Sequence, residues 1–244
     1  MAINANILRR PSDKNLFLAA AILFPLLVLV GYFKTYYGSS FFDVPPIANS
    51  LVHFHGIVMS VWVIYFTTQV ALVRSKNIKL HMTLGMFGIA LAALVVVVGL
   101  ATAYDSHIVR HTAPPGVNPY SFLVIPLGDM LFFVACFAGA IYYRKRPAEH
   151  KALMLMTAVN FVAPAIARIP VPIPPELFLF WTFGTPCLVA IALFAFYTYK
   201  HRKLNKVFLI AVLYFVISQP TRIMLGFSEG WIHLMEKIFG QLPS

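Results

Sequence analysis

Charge is what this sequence has least of. Asp and Glu number 8 in 244 residues, and the four charged types together make up 11%, against about 25% in a soluble globular domain. That deficit excludes an ordinary soluble enzyme. Cysteine is nearly absent as well: Cys136 and Cys187 each sit inside a long apolar run, which leaves no disulfide framework and no Cys-based zinc site. There is no G-x-S-x-G, no P-loop, no G-x-G-x-x-G and no H-E-x-x-H, so the familiar soluble hydrolase and nucleotide signatures are missing too. What is present is apolar, with 60% hydrophobic residues, 15% aromatic residues and a mean hydropathy of +0.80. A disordered chain could not carry so much to bury. The natural solvent for such a surface is lipid.

Runs of roughly 20 apolar residues, enough to cross about 30 Å of hydrocarbon as a helix, fall near 15–37, 47–73, 80–104, 119–143, 150–169, 175–199 and 206–226. The expected fold is all-α: one domain over 1–244, a polytopic bundle of seven transmembrane helices. The first run is too long for a signal-peptide core and lacks a small-residue cleavage site, so it reads as a retained helix. Assigning alternate sides to the connections separates the cations. The side holding the N-terminus carries 14 of the 19 Lys and Arg, from Arg9, Arg10 and Lys14 through Arg74, Lys76 and Lys79, Arg144 to Arg146 and Lys151, to Lys200, Arg202, Lys203 and Lys206. The positive-inside rule then puts the N-terminus in the cytoplasm and the C-terminus outside. The net charge of +11 is explained by topology and anionic inner-leaflet lipid, and a nucleic-acid partner is not expected. After Gly226, residues 228–239 place Trp231, Leu234, Met235 and Ile238 at helical spacing opposite Glu229, Glu236 and Lys237. This reads as a short amphipathic helix lying in the outer interface. Two basic-side loops, RSKNIKLHMTL (74–84) and RKRPAEHKAL (144–153), each set a basic cluster before a His with a Leu three residues later, a weak sign of an internal repeat.

With the topological cations set aside, few polar groups remain at bilayer depth, where each ionisable side chain costs about 2.5–3.5 kcal/mol. His53 and His55 lie about 10 and 7 Å outward of the midpoint of the second span, and residues two apart point about 200° away from each other, so at most one belongs to a given site. Asp129 lies near mid-membrane in the fourth span. Arg168 closes the fifth, and Gln219 and Arg222 sit on the outer half of the seventh. One outward cavity gathering these groups could hold a metal on His53 or His55 with Asp129, and a substrate on Arg168, Gln219 and Arg222. The plain alternative is a buried Asp129–Arg222 ion pair with the histidines bonded to backbone. On the basic side, His81 and His150 each begin a helix, and two such imidazoles can serve as opposite axial ligands of a b-type haem or as ligands of another transition metal. The alternative there is a polar rim facing the headgroups. Pro25, Pro126, Pro164, Pro186 and Pro220 lie within the spans, where each can kink its helix.

The segments FKTYY (33–37), HFHG (53–56), KLHMTLG (79–85), RKRPAEHKALM (144–154), APAIARIP (163–170) and SQPTRIMLG (218–226) together resemble a widespread, mostly uncharacterised group of bacterial seven-helix membrane proteins. The resemblance covers nearly the whole chain and implies a multi-pass protein of the bacterial inner membrane. More distantly, the chain is similar to membrane b-type cytochromes and to small membrane proteins of oxidase assembly. In diheme cytochromes of that kind the second helix supplies a His and the fourth its partner. Here the fourth offers Asp129, so the resemblance implies a single haem on His81 and His150. The function expected is therefore a haem- or metal-dependent redox or electron-transfer role, with the outer cluster open to a quinone or small molecule. The alternatives are a cofactor-free transporter or lipid-binding protein, and an accessory subunit of a larger membrane complex.

Overall fold

A computed structural model describes residues 14–114 and 116–241, with the side chains of 14 and 15 left aside. Arg9 and Arg10, counted above toward the orientation, lie outside the described residues. Among the described residues every regular element is helical. In chain order these are α1 (Lys14–Tyr32), α2 (Ser50–Arg74), α3 (Ile78–Tyr104), α4 (Tyr120–Tyr142), α5 (Pro147–Asn160), α6 (Ala163–Ile166), α7 (Pro175–Leu179), α8 (Thr185–His201), α9 (Lys206–Gly226) and α10 (Glu229–Phe239). π-Helical turns extend α1 over Phe33–Tyr37 and α3 over Asp105–Val109, and Phe180–Gly184 joins α7 to α8 in the same way.

Side-chain caps set where several helices begin. Asn49, Asn77, Asn205 and Ser228 each accept from the backbone N–H three residues on, opening α2, α3, α9 and α10, and each satisfies a donor that a helix start leaves free. Asn49 also donates through Nδ2 to Asp105 at 3.0 Å, and Arg110 Nε donates to the same carboxylate at 2.7 Å. That network ties the start of α2 to the end of α3.

Among the described residues six helices are long and apolar enough to cross a membrane: Leu16–Tyr37, Ser50–Arg74, Ile78–Val109, Tyr120–Tyr142, Pro175–His201 and Lys206–Gly226. The continuous span expected at 150–169 is instead broken. α5 ends at Asn160, residues 161 and 162 turn through bonds from the Phe161 N–H to the Ala158 carbonyl and from the Val162 N–H to the Val159 carbonyl, and α6 restarts with Pro164 in its first turn. Proline has no N–H to continue the ladder and clashes with the preceding turn, which accounts for the break. Pro25, Pro126 and Pro220 sit inside helices that continue past them, and Pro186 follows the π-helical turn that leads into α8.

The broken segment is the centre of the molecule. Every residue from Leu155 to Ala163 is buried, and α5 packs on α1, α4, α8 and α9. Irregular backbone at this depth is tolerated when protein surrounds it. The flanking helices turn their bulk outward: Ile64, Met86, Ile210 and Met224 are each about two-thirds exposed or more. Such a rim suits contact with acyl chains and would be an aggregation hazard in water. Inside, Trp62 packs edge-on to Phe133 at 5.0 Å, and Phe133 lies 5.1 Å from Phe161, joining α2 and α4 to the break. α10 folds back on the opposite end, where Trp231 Nε1 donates to the Tyr120 carbonyl at 2.8 Å and Met235 is buried. One side of it is therefore occupied by protein, with Leu234 and Ile238 exposed.

Candidate functional site

The polar side chains singled out above fall into three groups. The first joins α4, α5 and α9. Arg222 Nη1 donates to Asp129 Oδ1 at 2.5 Å and to the Ile125 carbonyl at 3.0 Å, and Nε reaches the Ser218 carbonyl at 3.3 Å. Gly128 makes this approach possible, because a Cβ there would coincide with the Arg222 side chain. Asn160, at the break, donates through Nδ2 to the Asp129 carbonyl at 2.9 Å. The cluster is incompletely satisfied: among the described residues Arg222 Nη2 and Asn160 Oδ1 are buried without a hydrogen-bond partner.

The second group joins α1, α2 and the segment after α6. The Tyr36 hydroxyl lies 3.2 Å from His53 Nδ1 and donates to the His53 carbonyl at 3.1 Å, while Tyr37 pairs with Ser60 at 2.7 Å. Tyr36 packs over Gly56 so closely that a Cβ there would strike its ring. His55 points the other way, with Nδ1 buried and unpartnered, and the charge of Arg168 acts on it. Arg168 itself stacks over Tyr32 at 4.7 Å and donates to the Pro164 carbonyl at 2.8 Å. His53 and His55 thus separate as two residues 200° apart must. Among the described residues no hydrogen bond or ion pair connects this group to Asp129, Gln219 or Arg222. Among the described residues, too, no three of His, Cys, Asp and Glu gather as metal ligands, and Asp129 is already committed to Arg222.

The third group lies at the basic end. The rings of His81 and His150 meet in a T-shaped arrangement, with centres 6.3 Å apart and planes at 83°. His150 Nδ1 is 2.8 Å from the Ala140 carbonyl. A carbonyl only accepts, so Nδ1 carries the proton and Nε2 presents its lone pair, the arrangement by which a backbone oxygen fixes a metal-binding imidazole. His81 Nδ1 is buried without a hydrogen-bond partner among the described residues. Beside it on α2 stands Gln69, 7% exposed, whose Oε1 and Nε2 also make no hydrogen bond. The Gln69 backbone approaches the His81 ring, and the Tyr65 hydroxyl neighbours its amide.

Two imidazoles on opposite faces of one metal, each about 2 Å from it, place their ring centres about 6 to 6.5 Å apart. The observed separation fits. Two ligands are too few for a tetrahedral zinc site, whereas a haem brings four equatorial nitrogens of its own and asks the protein only for an axial pair. His81, with its orphaned nitrogen, and His150, with its fixed tautomer, are the residues that would hold it.

Gln69 and Asn160 escaped the sequence reading, although each is an amide standing in an apolar run. Gln69 lies seven residues beyond Trp62 and fourteen beyond His55, which is one face of α2. The Trp62 indole nitrogen is unpartnered as well.

Fold and polar groups together define a class: an all-α bundle suited to crossing a membrane several times, with a buried Arg222 paired to Asp129 and half-buried histidines His55, His81 and His150. No protein family, curated protein or solved structure matches the chain.

Proposed function

We propose that this is a multi-pass protein of the bacterial inner membrane that binds haem b, or another redox-active transition metal, between His81 and His150 and serves electron transfer. The observation that carries the reading is the His81–His150 pair, with ring centres 6.3 Å apart. A haem held by His81 and His150 would supply one-electron transfer. The chain's own part is to hold the pair. Ala140 orients His150, and the N-terminal turns of α3 and α5, capped by Asn77 and begun by Pro147, fix where each imidazole projects. Arg74, Lys79, Arg144 and Lys151 supply positive charge at the same end, suited to the propionates of a haem.

In this reading seven segments cross, with the N-terminus and the basic loops in the cytoplasm. Support comes from the position of the broken segment. Lys151 Nζ lies over Phe17, near the start of α1, at 5.2 Å, and Arg168 lies over Tyr32, at its end. α5 and α6 together therefore run the depth of α1.

The test is purification in mild detergent followed by an absorption spectrum and elemental analysis. The expected result is a Soret band with one iron per chain, or one stoichiometric copper without the band. Either signal should be lost in both His81→Ala and His150→Ala and retained in His53→Ala. A colourless protein without stoichiometric metal overturns the proposal.

A further inference from the structure

Away from both histidine groups, a groove of about 220 Å³ runs between α9 and the π-helical turn before α8, lined by Leu179, Phe180, Phe183, Cys187, Gln219 and Ile223. Its mouth is on the apolar flank, where Leu179 and Phe180 are about half exposed. Its surface is almost wholly apolar with one exception. Gln219 is 3% exposed, lines the groove, and makes no hydrogen bond among the described residues. An amide in an otherwise apolar wall is matched best by a ligand that offers it a hydrogen bond, since a polar group kept from water without one is costly. Pro220 follows it directly, and a proline cannot bond the carbonyl one turn back, so the backbone beside the amide is also left open. Behind the groove the charge of Arg222 reaches Cys187, but that charge is already matched by Asp129.

These features select a ligand class. No uncompensated charge faces the groove, so a phosphate or carboxylate headgroup has nothing to bind. The Phe180 and Phe183 walls suit a flat ring, and the single amide donor suits a carbonyl on that ring. The mouth opens where an apolar tail can remain among acyl chains. We propose that this groove binds a neutral, lipid-soluble ring carbonyl compound of the quinone class, arriving from the bilayer, with its carbonyl accepting a hydrogen bond from the Gln219 amide. The site is independent of the histidine pair.

The experiment uses the full chain in phospholipid nanodiscs, titrated with a decyl-substituted benzoquinone. Binding is read by quenching of tryptophan fluorescence, because Trp181 lies in the turn that forms one wall. Saturable quenching is expected, with Kd raised at least tenfold in Gln219→Leu, which keeps the volume and removes the amide. Ile223→Trp, which narrows the groove from the other wall, should raise Kd similarly. Both variants are compared with the parent by gel filtration and thermal unfolding, so that loss of fold is told apart from loss of binding. Quenching that rises linearly with quinone, as partition into lipid alone gives, overturns the proposal. So does an unchanged Kd in the two variants. Neither outcome bears on the Soret band or the metal content.

Discussion

Arg222 shows how one residue can be both well held and incompletely satisfied. Its guanidinium meets Asp129, the Ile125 carbonyl and the Ser218 carbonyl, yet Nη2 is left buried and bare. Removing one partner of such a pair strands the other charge, which costs about 3–5 kcal/mol, whereas replacing both by apolar residues of similar volume is often neutral or stabilising. Asp129→Ala should therefore lower the thermal unfolding temperature in detergent sharply, and Asp129→Leu combined with Arg222→Met should recover most of the loss. A double variant as unstable as the single one would show that the cluster does more than pair charges. Gly128→Ala should behave like a mild form of Asp129→Ala, and the effect should vanish once Arg222 is shortened to Ala. The ion pair was legible in the sequence, because two opposite charges in apolar spans have few other partners to find. Asn160 and Gly128 were not legible as its companions, since the crossing of α4, α5 and α9 that brings them together leaves no periodic trace. A metal site on His53 or His55 with Asp129 was read from their depth in the bilayer, which does not say which side chains meet.

Among the elements, the break between α5 and α6 departs most from expectation. Hydropathy marks 150–169 as a span, and the segment is indeed apolar, but length and composition carry no sign of whether a helix faces lipid or protein. Its small residues are the better clue. Ala152, Ala158, Ala163 and Ala165 are all buried, and small side chains let neighbouring backbones approach. The closest approach is at α1, where a Cβ on Gly31 would overlap the Ala165 backbone. Gly31→Ala should push α1 away from α6 and cost about 1–3 kcal/mol, the usual penalty of overpacking. Gly85→Ala in α3 is the control. Nothing lies within 4 Å of its added Cβ, so it should be neutral or slightly stabilising through helix propensity. Thermal unfolding of the two variants side by side separates a packing requirement from a general intolerance of glycine replacement. Equal effects at both positions would count against the α1–α6 contact.

At the scale of the whole molecule the number of crossings decides where the two ends lie. Six long apolar helices alone would return the chain to the side on which it began. A seventh crossing by α5 and α6, as proposed, would put the ends on opposite sides. Residues 147–166 span about 30 Å at 1.5 Å per residue, so the break does not make the segment too short. The loops on either side also fall at opposite ends of the bundle. His150, just after the α4–α5 loop, meets His81 at the basic end, and Arg168, just after α6, meets Tyr32 at the other. Tyr143, Tyr197 and Phe208 share one packed cluster with Phe17, which gathers the α4–α5 and α8–α9 connections at the basic end with the start of α1. A bacterial alkaline phosphatase, active only outside the cytoplasm, and a fluorescent protein of the green type, bright only inside, report this directly when fused to the chain. Fusions after Lys145 and after Lys203 should be fluorescent and lack phosphatase activity, and a fusion at Ser244 should show the reverse. A fluorescent C-terminal fusion, with the Lys145 fusion fluorescent as well, would mean that α5 and α6 enter and return on one side. The His81–His150 pair would survive that result, since both imidazoles stand at the basic end, but the assignment of α10 to the outer interface would not.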